Sequence, residues 1–172
     1  MSAPLELEDA QARLLGLLSA TPSRSCPVDA ASRLFLAEPV IARRSQPPAD
    51  LSAMDGYATA GDQPWVVKGE SRAGAPFDMV LGKGDAIRIS TGAHMPLGAD
   101  AVLIQENAEV EGTRLTATEP PTSRYIRRAG FDFNASDTLL EPGTRMGAAQ
   151  IALARAGGLA QVVAHHAPRV AV

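Results

Sequence analysis

One cysteine, Cys26, stands in 172 residues. An intramolecular disulfide and a cysteine-based zinc cluster are thereby excluded. Aromatic residues are scarce, at 4%, so a core has to be built from Leu, Val, Ile and Ala. Neither sign of charge dominates: the net charge is −3, with acids and bases interspersed. That balance gives no electrostatic footprint for nucleic acid and no polybasic membrane patch. No apolar run approaches membrane-spanning length. Glu6, Glu8 and Asp9 occupy the place where a secretory leader would be basic and then apolar. The expectation is a cytoplasmic protein with neither nucleic acid nor a membrane as partner. Also missing are a phosphate-cradling glycine loop, a Ser-His-Asp order and an internal repeat.

What is present is a change of texture along the chain. Leu7, Ala10, Leu14, Leu17 and Leu18 fall on one helical stripe that Thr21-Pro22 closes. Residues 25–28 read as loop, Asp29 as the N-cap of a short helix through Leu34, and Val40-Ile41-Ala42 as a brief strand. From Met54 to Leu140, short β-like runs alternate with Gly, Pro and Asp breaks. The runs are Trp65–Val67 (ended by Lys68-Gly69), Ala86–Ser90, Ala101–Ile104, a hairpin around Gly112, Tyr125–Arg127 and Thr138–Leu140. No long helix interrupts them, which argues against parallel βαβ units. Glu141-Pro-Gly-Thr144 predicts a type II turn. Ala148–Ala156 then reads as a helix ended by Gly157-Gly158, and Gln161–Ala164 as a strand. Pro168–Val172 starts another strand, so the chain reads as cut inside an apolar run.

The predicted class is α+β. Residues 1–46 and 143–172 form a discontinuous mixed helix and strand domain, and 47–142 a β-rich domain inserted into it.

Three stretches carry chemistry. In Ser52-Ala-Met-Asp-Gly-Tyr-Ala58, Gly56 lets the backbone bend sharply beside Asp55 and holds its carboxylate at a tight turn. A metal ion or a proton-transfer partner needs such fixed geometry, although Asp-Gly is also a common turn dipeptide. In Arg88-Ile-Ser-Thr-Gly-Ala93, Thr91 sits at a strand end, where its hydroxyl faces a cleft or caps the turn. In Ile126-Arg-Arg-Ala-Gly-Phe-Asp132, the bases can hold an oxyanion and the acid a Mg²⁺ ion, or the whole is an exposed charged turn. His165 and His166 point to opposite faces of a strand and cannot chelate one ion; they read as a solvated strand end. His94 has no ligand partner at useful spacing, and Cys26 reads as an inert small residue.

Together these stretches resemble the molybdopterin molybdenumtransferase family, the bacterial MoeA proteins and the E domain of gephyrin. The resemblance runs from Asp29 to Val172 and includes Glu141-Pro-Gly-Thr and Pro168-Arg-Val-Ala-Val. Pro48-Ala-Asp-Leu51 and Phe131 depart from the family pattern. The resemblance implies a two-segment first domain, an inserted β domain, and a molybdopterin-binding domain that would lie beyond residue 172. It implies insertion of molybdate into adenylylated molybdopterin, assisted by Mg²⁺, with release of AMP. Asp55, Asp132 and Thr91 are then the catalytic candidates. Asp55 and Asp132 would hold the metal, and Ser52, Arg127 and Arg128 would bind substrate. A homodimer is implied, with the molybdopterin-adenylating protein as upstream partner. Residues 1–172 alone are expected to transfer no metal. The alternative is a non-catalytic dimerisation or scaffold module of the same family.

Overall fold

The computed structural model describes residues 6–168. In chain order its elements are helix α1 (Leu7–Gly16), strands β1 (Ser23–Pro27), β2 (Val40–Ile41), β3 (Leu51–Ser52), β4 (Gly56–Thr59), β5 (Trp65–Ser71), β6 (Asp85–Ile89), β7 (Ala101–Ile104), β8 (Ala108–Glu111), β9 (Arg114–Ala117), β10 (Ile126–Arg127) and β11 (Thr138–Leu140), helix α2 (Ala148–Ala156) and strand β12 (Gln161–His165). The chain divides into two compact units, Met1–Ala42 with Thr138–Val172 and Arg43–Asp137. The class is α+β. The strand expected over 168–172 lies largely outside the described residues.

In the two-segment unit, β1 pairs antiparallel with β12, and β2 with β11. Val28, Leu36, Val40, Met146, Ala154 and Val162 form its core. Three local expectations fail here. Residues 25–28 are not loop: Ser23–Pro27 is a strand, because its amides find β12 at the far end of the sequence. Asp29 caps no helix. A single 3₁₀ turn spans Val28–Ala31, with no side-chain cap, and Asp29 pairs with Arg155 on α2 instead. His165 is no solvated strand end either. Its ring is partly buried and Nδ1 donates to the carbonyl of Thr21 at 2.6 Å. The turn at Glu141–Thr144 forms as its residues demand: Gly143 takes φ +82° and Thr144 N–H donates to Glu141 O at 3.2 Å.

In the inserted unit, six strands form one sheet in the order β7-β4-β6-β5-β9-β8. Alternation on β6 buries Ala86, Ile87 and Ile89 while Arg88 faces solvent. One face packs Ala58, Ile87, Ile89 and Val102; the other packs Trp65, Ala86, Leu103 and Leu115, with Tyr57 against them. Trp65, the sole tryptophan, is 2% exposed and its Nε1 donates to Gly61 O at 3.0 Å, satisfying the one polar atom such burial would orphan. β5 runs through the expected stop at Lys68-Gly69 and on to Ser71. Gly69 does not break it; the ring of Phe77 lies where a Cβ would stand, at 2.7 Å. β5 and β6 pair in parallel, joined by a long irregular connection rather than a helix.

Candidate functional site

The three chemistry-bearing stretches lie side by side in the inserted unit. β3 is the middle of a narrow strip. On one flank, residues 92–95 run antiparallel to it: Ser52 N–H donates to Ala93 O at 2.9 Å, Gly92 N–H to Ser52 O at 2.8 Å, and Met95 N–H to Asp50 O at 2.9 Å. On the other flank lies β10, with Ile126 opposite Ser52 and Arg127 opposite Leu51. Ala53 N–H donates to Tyr125 O at 2.8 Å. Each stretch supplies what the others' backbones lack, so the strip is satisfied without belonging to the large sheet.

From this strip the chain turns into β4, and the turn presents Asp55. Ser52 shapes it: the residue is 2% exposed and its hydroxyl donates to Met54 O at 2.6 Å. Gly56 is required sterically, because a Cβ there would stand 2.0 Å from Leu103 O and 2.9 Å from Gln105 N. Gln105 N–H donates to Asp55 O at 3.1 Å, fastening the turn to the end of β7.

Asp55 is exposed, but one of its oxygens is fixed. Oδ1 accepts from Thr91 N–H at 2.7 Å and from Thr91 Oγ1–H at 3.0 Å. These donors, the amide first and the hydroxyl second, hold the carboxyl below the ordinary aspartate range; the nearby charge of Arg88 acts in the same direction. Among the described residues, Oδ2 accepts no hydrogen bond. Thr91 therefore points at Asp55.

The opposite flank carries two ion pairs. Arg127 Nη2 meets Asp132 Oδ1 at 2.5 Å, and the Arg127 guanidinium lies 5.4 Å from the centroid of the Phe131 ring. Arg128 Nη1 meets Asp50 Oδ2 at 2.6 Å, and Asp50 Oδ1 accepts from Ala129 N–H at 2.8 Å. The amide is the main cause and Arg128 a further one that keep Asp50 below its usual range. Asp50 was not a sequence candidate. Its partners lie 78 and 79 residues away, and no local spacing announces a contact of that separation. Arg88 was also not singled out: its exposed place in β6 is legible from alternation, but its neighbours are not.

A Mg²⁺ ion commonly takes one or two carboxylates and completes its shell with phosphate oxygens and water. Asp55 fits that arrangement through Oδ2. Asp132 has one oxygen committed to Arg127. Among the described residues no three His, Cys, Asp or Glu side chains gather into a metal-binding group, so an ion here would draw most of its ligands from elsewhere.

The fold and this strip define a two-unit α+β protein whose inserted unit displays a fixed carboxylate beside exposed guanidinium groups. The model of the MoeA N-terminal region (domain I and II) matches residues 5–158. The chain belongs to that family. It is 32% identical over 176 residues to a molybdopterin molybdenumtransferase of Haemophilus influenzae, covering 98% of this chain and 44% of the relative. A molybdopterin molybdenumtransferase of Nostoc is 36% identical over 154 residues, covering 83% of this chain and 35% of that protein. The crystal structure of the molybdopterin biosynthesis protein MoeA from Pyrococcus horikoshii superposes with a TM-score of 0.79 at 27% identity, over 92% of this chain and 45% of that one. The chain thus spans less than half the length of these relatives. Among the described residues no helix is long and apolar enough to cross a membrane.

Proposed function

We propose that this chain supplies one wall of the site at which molybdate is inserted into adenylylated molybdopterin in the cytoplasm, with release of AMP. The observation that carries the reading is the double clamp of Thr91 on Asp55 Oδ1, which leaves Oδ2 directed by geometry and ionised at neutral pH. Cleaving a phosphoanhydride builds negative charge on the leaving oxygens, and a cation held by carboxylate neutralises it. Asp55 is the ligand this chain offers to such a Mg²⁺ ion. Thr91 keeps the ligand in one orientation, so no rotamer search is needed when substrate arrives. Asp132 holds Arg127 in place, and Arg127 and Arg128 offer the remaining guanidinium donors to an anionic substrate. Ser52 acts through the turn it shapes. The rest of the pocket would come from the longer architecture that the relatives have.

The test replaces the corresponding region of the Haemophilus influenzae relative with residues 1–172, as wild type or Asp55→Asn. Asn keeps the shape and one acceptor but loses the charge. Molybdate-dependent AMP release from adenylylated molybdopterin should fall by at least two orders of magnitude, with unfolding unchanged to within about 0.5 kcal/mol, as for other surface changes. Undiminished release would remove Asp55 from the chemistry.

A second reading, an assembly module, draws on α1 and the two residues that follow it. Leu7, Leu14, Leu15, Leu17 and Leu18 are 64–82% exposed, and α1 has no buried residue. An uncovered leucine face of this kind supports a homodimer. The two readings are compatible.

A further inference from the structure

Arg88 stands on β6, the strand next to β4, and Asp55 sits in the turn that leads into β4. Tyr57 pairs with Arg88 and Gly56 with Ile89 in the β4–β6 ladder, and Asp55 is the turn residue immediately before that ladder begins. On the other side, β5 places Glu70 opposite Arg88. A purely structural arginine in this position would pair with Glu70. It does not: Glu70 is engaged by Arg72, one residue past the end of β5, at 2.5 Å. Asp55 in turn is satisfied by Thr91. Among the described residues Arg88 makes no ion pair within 4.0 Å, while its charge is felt by both carboxylates. Flanking Ile87 and Ile89 are buried and Arg88 is exposed, so its guanidinium is open to solvent on the strand next to the turn that carries Asp55.

A planar fork with uncommitted donors suits two oxygens of a tetrahedral anion. A carboxylate beside it would repel a bare anion, but attracts one that brings a hydroxyl or a bound cation. We propose that Arg88 is an anion-binding residue of the Asp55 site and takes a tetrahedral dianion, a phosphomonoester or an oxometalate, on its guanidinium. This deepens the proposed function and rests on it for the identity of the anion, not for its charge and shape.

The test is a titration of ¹⁵N-labelled chain at constant ionic strength. AMP, molybdate and sulfate are added in separate arms, each with and without Mg²⁺, and the Thr91 and Gly92 amides are followed. Saturable shifts are expected with AMP or molybdate, and the arm that saturates at lower concentration names the source. Arg88→Gln should weaken that binding at least fivefold and Arg88→Lys by less. Arg72→Gln, on a cation already paired, should change it less than twofold. An Arg88→Gln chain that titrates like wild type overturns the proposal, as does a wild-type chain whose amides stay still to 20 mM anion. Sulfate acting as well as AMP and molybdate, with the effect lost in Arg88→Gln, upholds the anion role and withdraws this support for molybdenum insertion. Insertion lost in Asp55→Asn while Arg88→Gln binds normally upholds the proposed function and sinks this inference.

Discussion

Gly56→Ala tests how tightly the turn that presents Asp55 is built. The added Cβ would stand 2.0 Å from Leu103 O, 2.9 Å from Gln105 N and 3.0 Å from the carbonyl carbon of Ile104. All three are backbone atoms of β7 and its exit, so no side chain can swing aside. Restoring an ordinary contact of about 3.2 Å or more requires β4 and β7 to part by roughly 1.2 Å, where overpacking alone typically costs about 1–3 kcal/mol. Gly56 also has φ +156°, which a side chain rarely adopts, adding about 1–3 kcal/mol. The sum, about 2–6 kcal/mol, falls on the ladder that pairs Gly56–Thr59 with Ala101–Ile104. At about 2–4 °C per kcal/mol for a chain of this size, the melting transition should drop by roughly 4–24 °C. Calorimetry measures it, and amide shifts at Thr91 and Gln105 report whether Asp55 has moved. A variant within about 0.5 kcal/mol of wild type, with those amides unmoved, would refute the steric argument.

Thr91→Val removes the hydroxyl donor and keeps the amide, so the Asp55 carboxyl should titrate closer to the ordinary aspartate value of about 3.9, read by carboxyl ¹³C shifts; an unchanged titration would deny the hydroxyl its role. Because Asp55 titrates low when folded, its contribution to stability is complete above that ordinary value and is lost as pH falls through the lower folded one. Asp50→Ala should cost about 1 kcal/mol in urea unfolding, since a half-exposed ion pair adds little and one amide loses its acceptor; the loss should shrink in acid as wild-type Asp50 becomes protonated. Sedimentation equilibrium at micromolar concentration should show a dimer, weakened by Leu14→Glu with Leu18→Glu; a wild-type monomer at every concentration would leave the exposed leucines of α1 and its exit without a second copy.

Where periodicity dominates, the fold was legible. α2 begins at Ala148 and ends at Ala156, as its alanine run and Gly157-Gly158 require, and β7 coincides with the apolar run Ala101–Ile104. Reading failed where a distant partner overrides local preference. Ser-Arg-Ser-Cys-Pro has no strand texture, yet 23–27 is a strand because β12 needs an edge to pair with. Lys68-Gly69 looks like a break, yet β5 continues because Phe77 fills the space over the glycine. Asp29 looks like a cap, and an arginine 126 residues away takes it.

The site divides along the same line. A tight Asp-Gly turn, a hydroxyl at a strand end and a charged glycine turn are each local, and each was readable as a residue type in a backbone setting. Their mutual geometry is not local. Thr91 reaches Asp55 only because β4 and β6 pair in a register that sets Gly56 against Ile89, and a slip of one residue would turn every side chain of β6 to the opposite face. That register is held by Ile87 and Ile89 in one packed face and Ala86 in the other, not by any residue that touches the carboxylate. The same register lifts Arg88 to the surface beside Asp55. Chemistry here is thus positioned by apolar packing along β6 that does not itself touch the carboxylate. Polar substitution of Ile87 or Ile89 would damage the site as surely as removal of Asp55, but through unfolding, which separates the two causes experimentally.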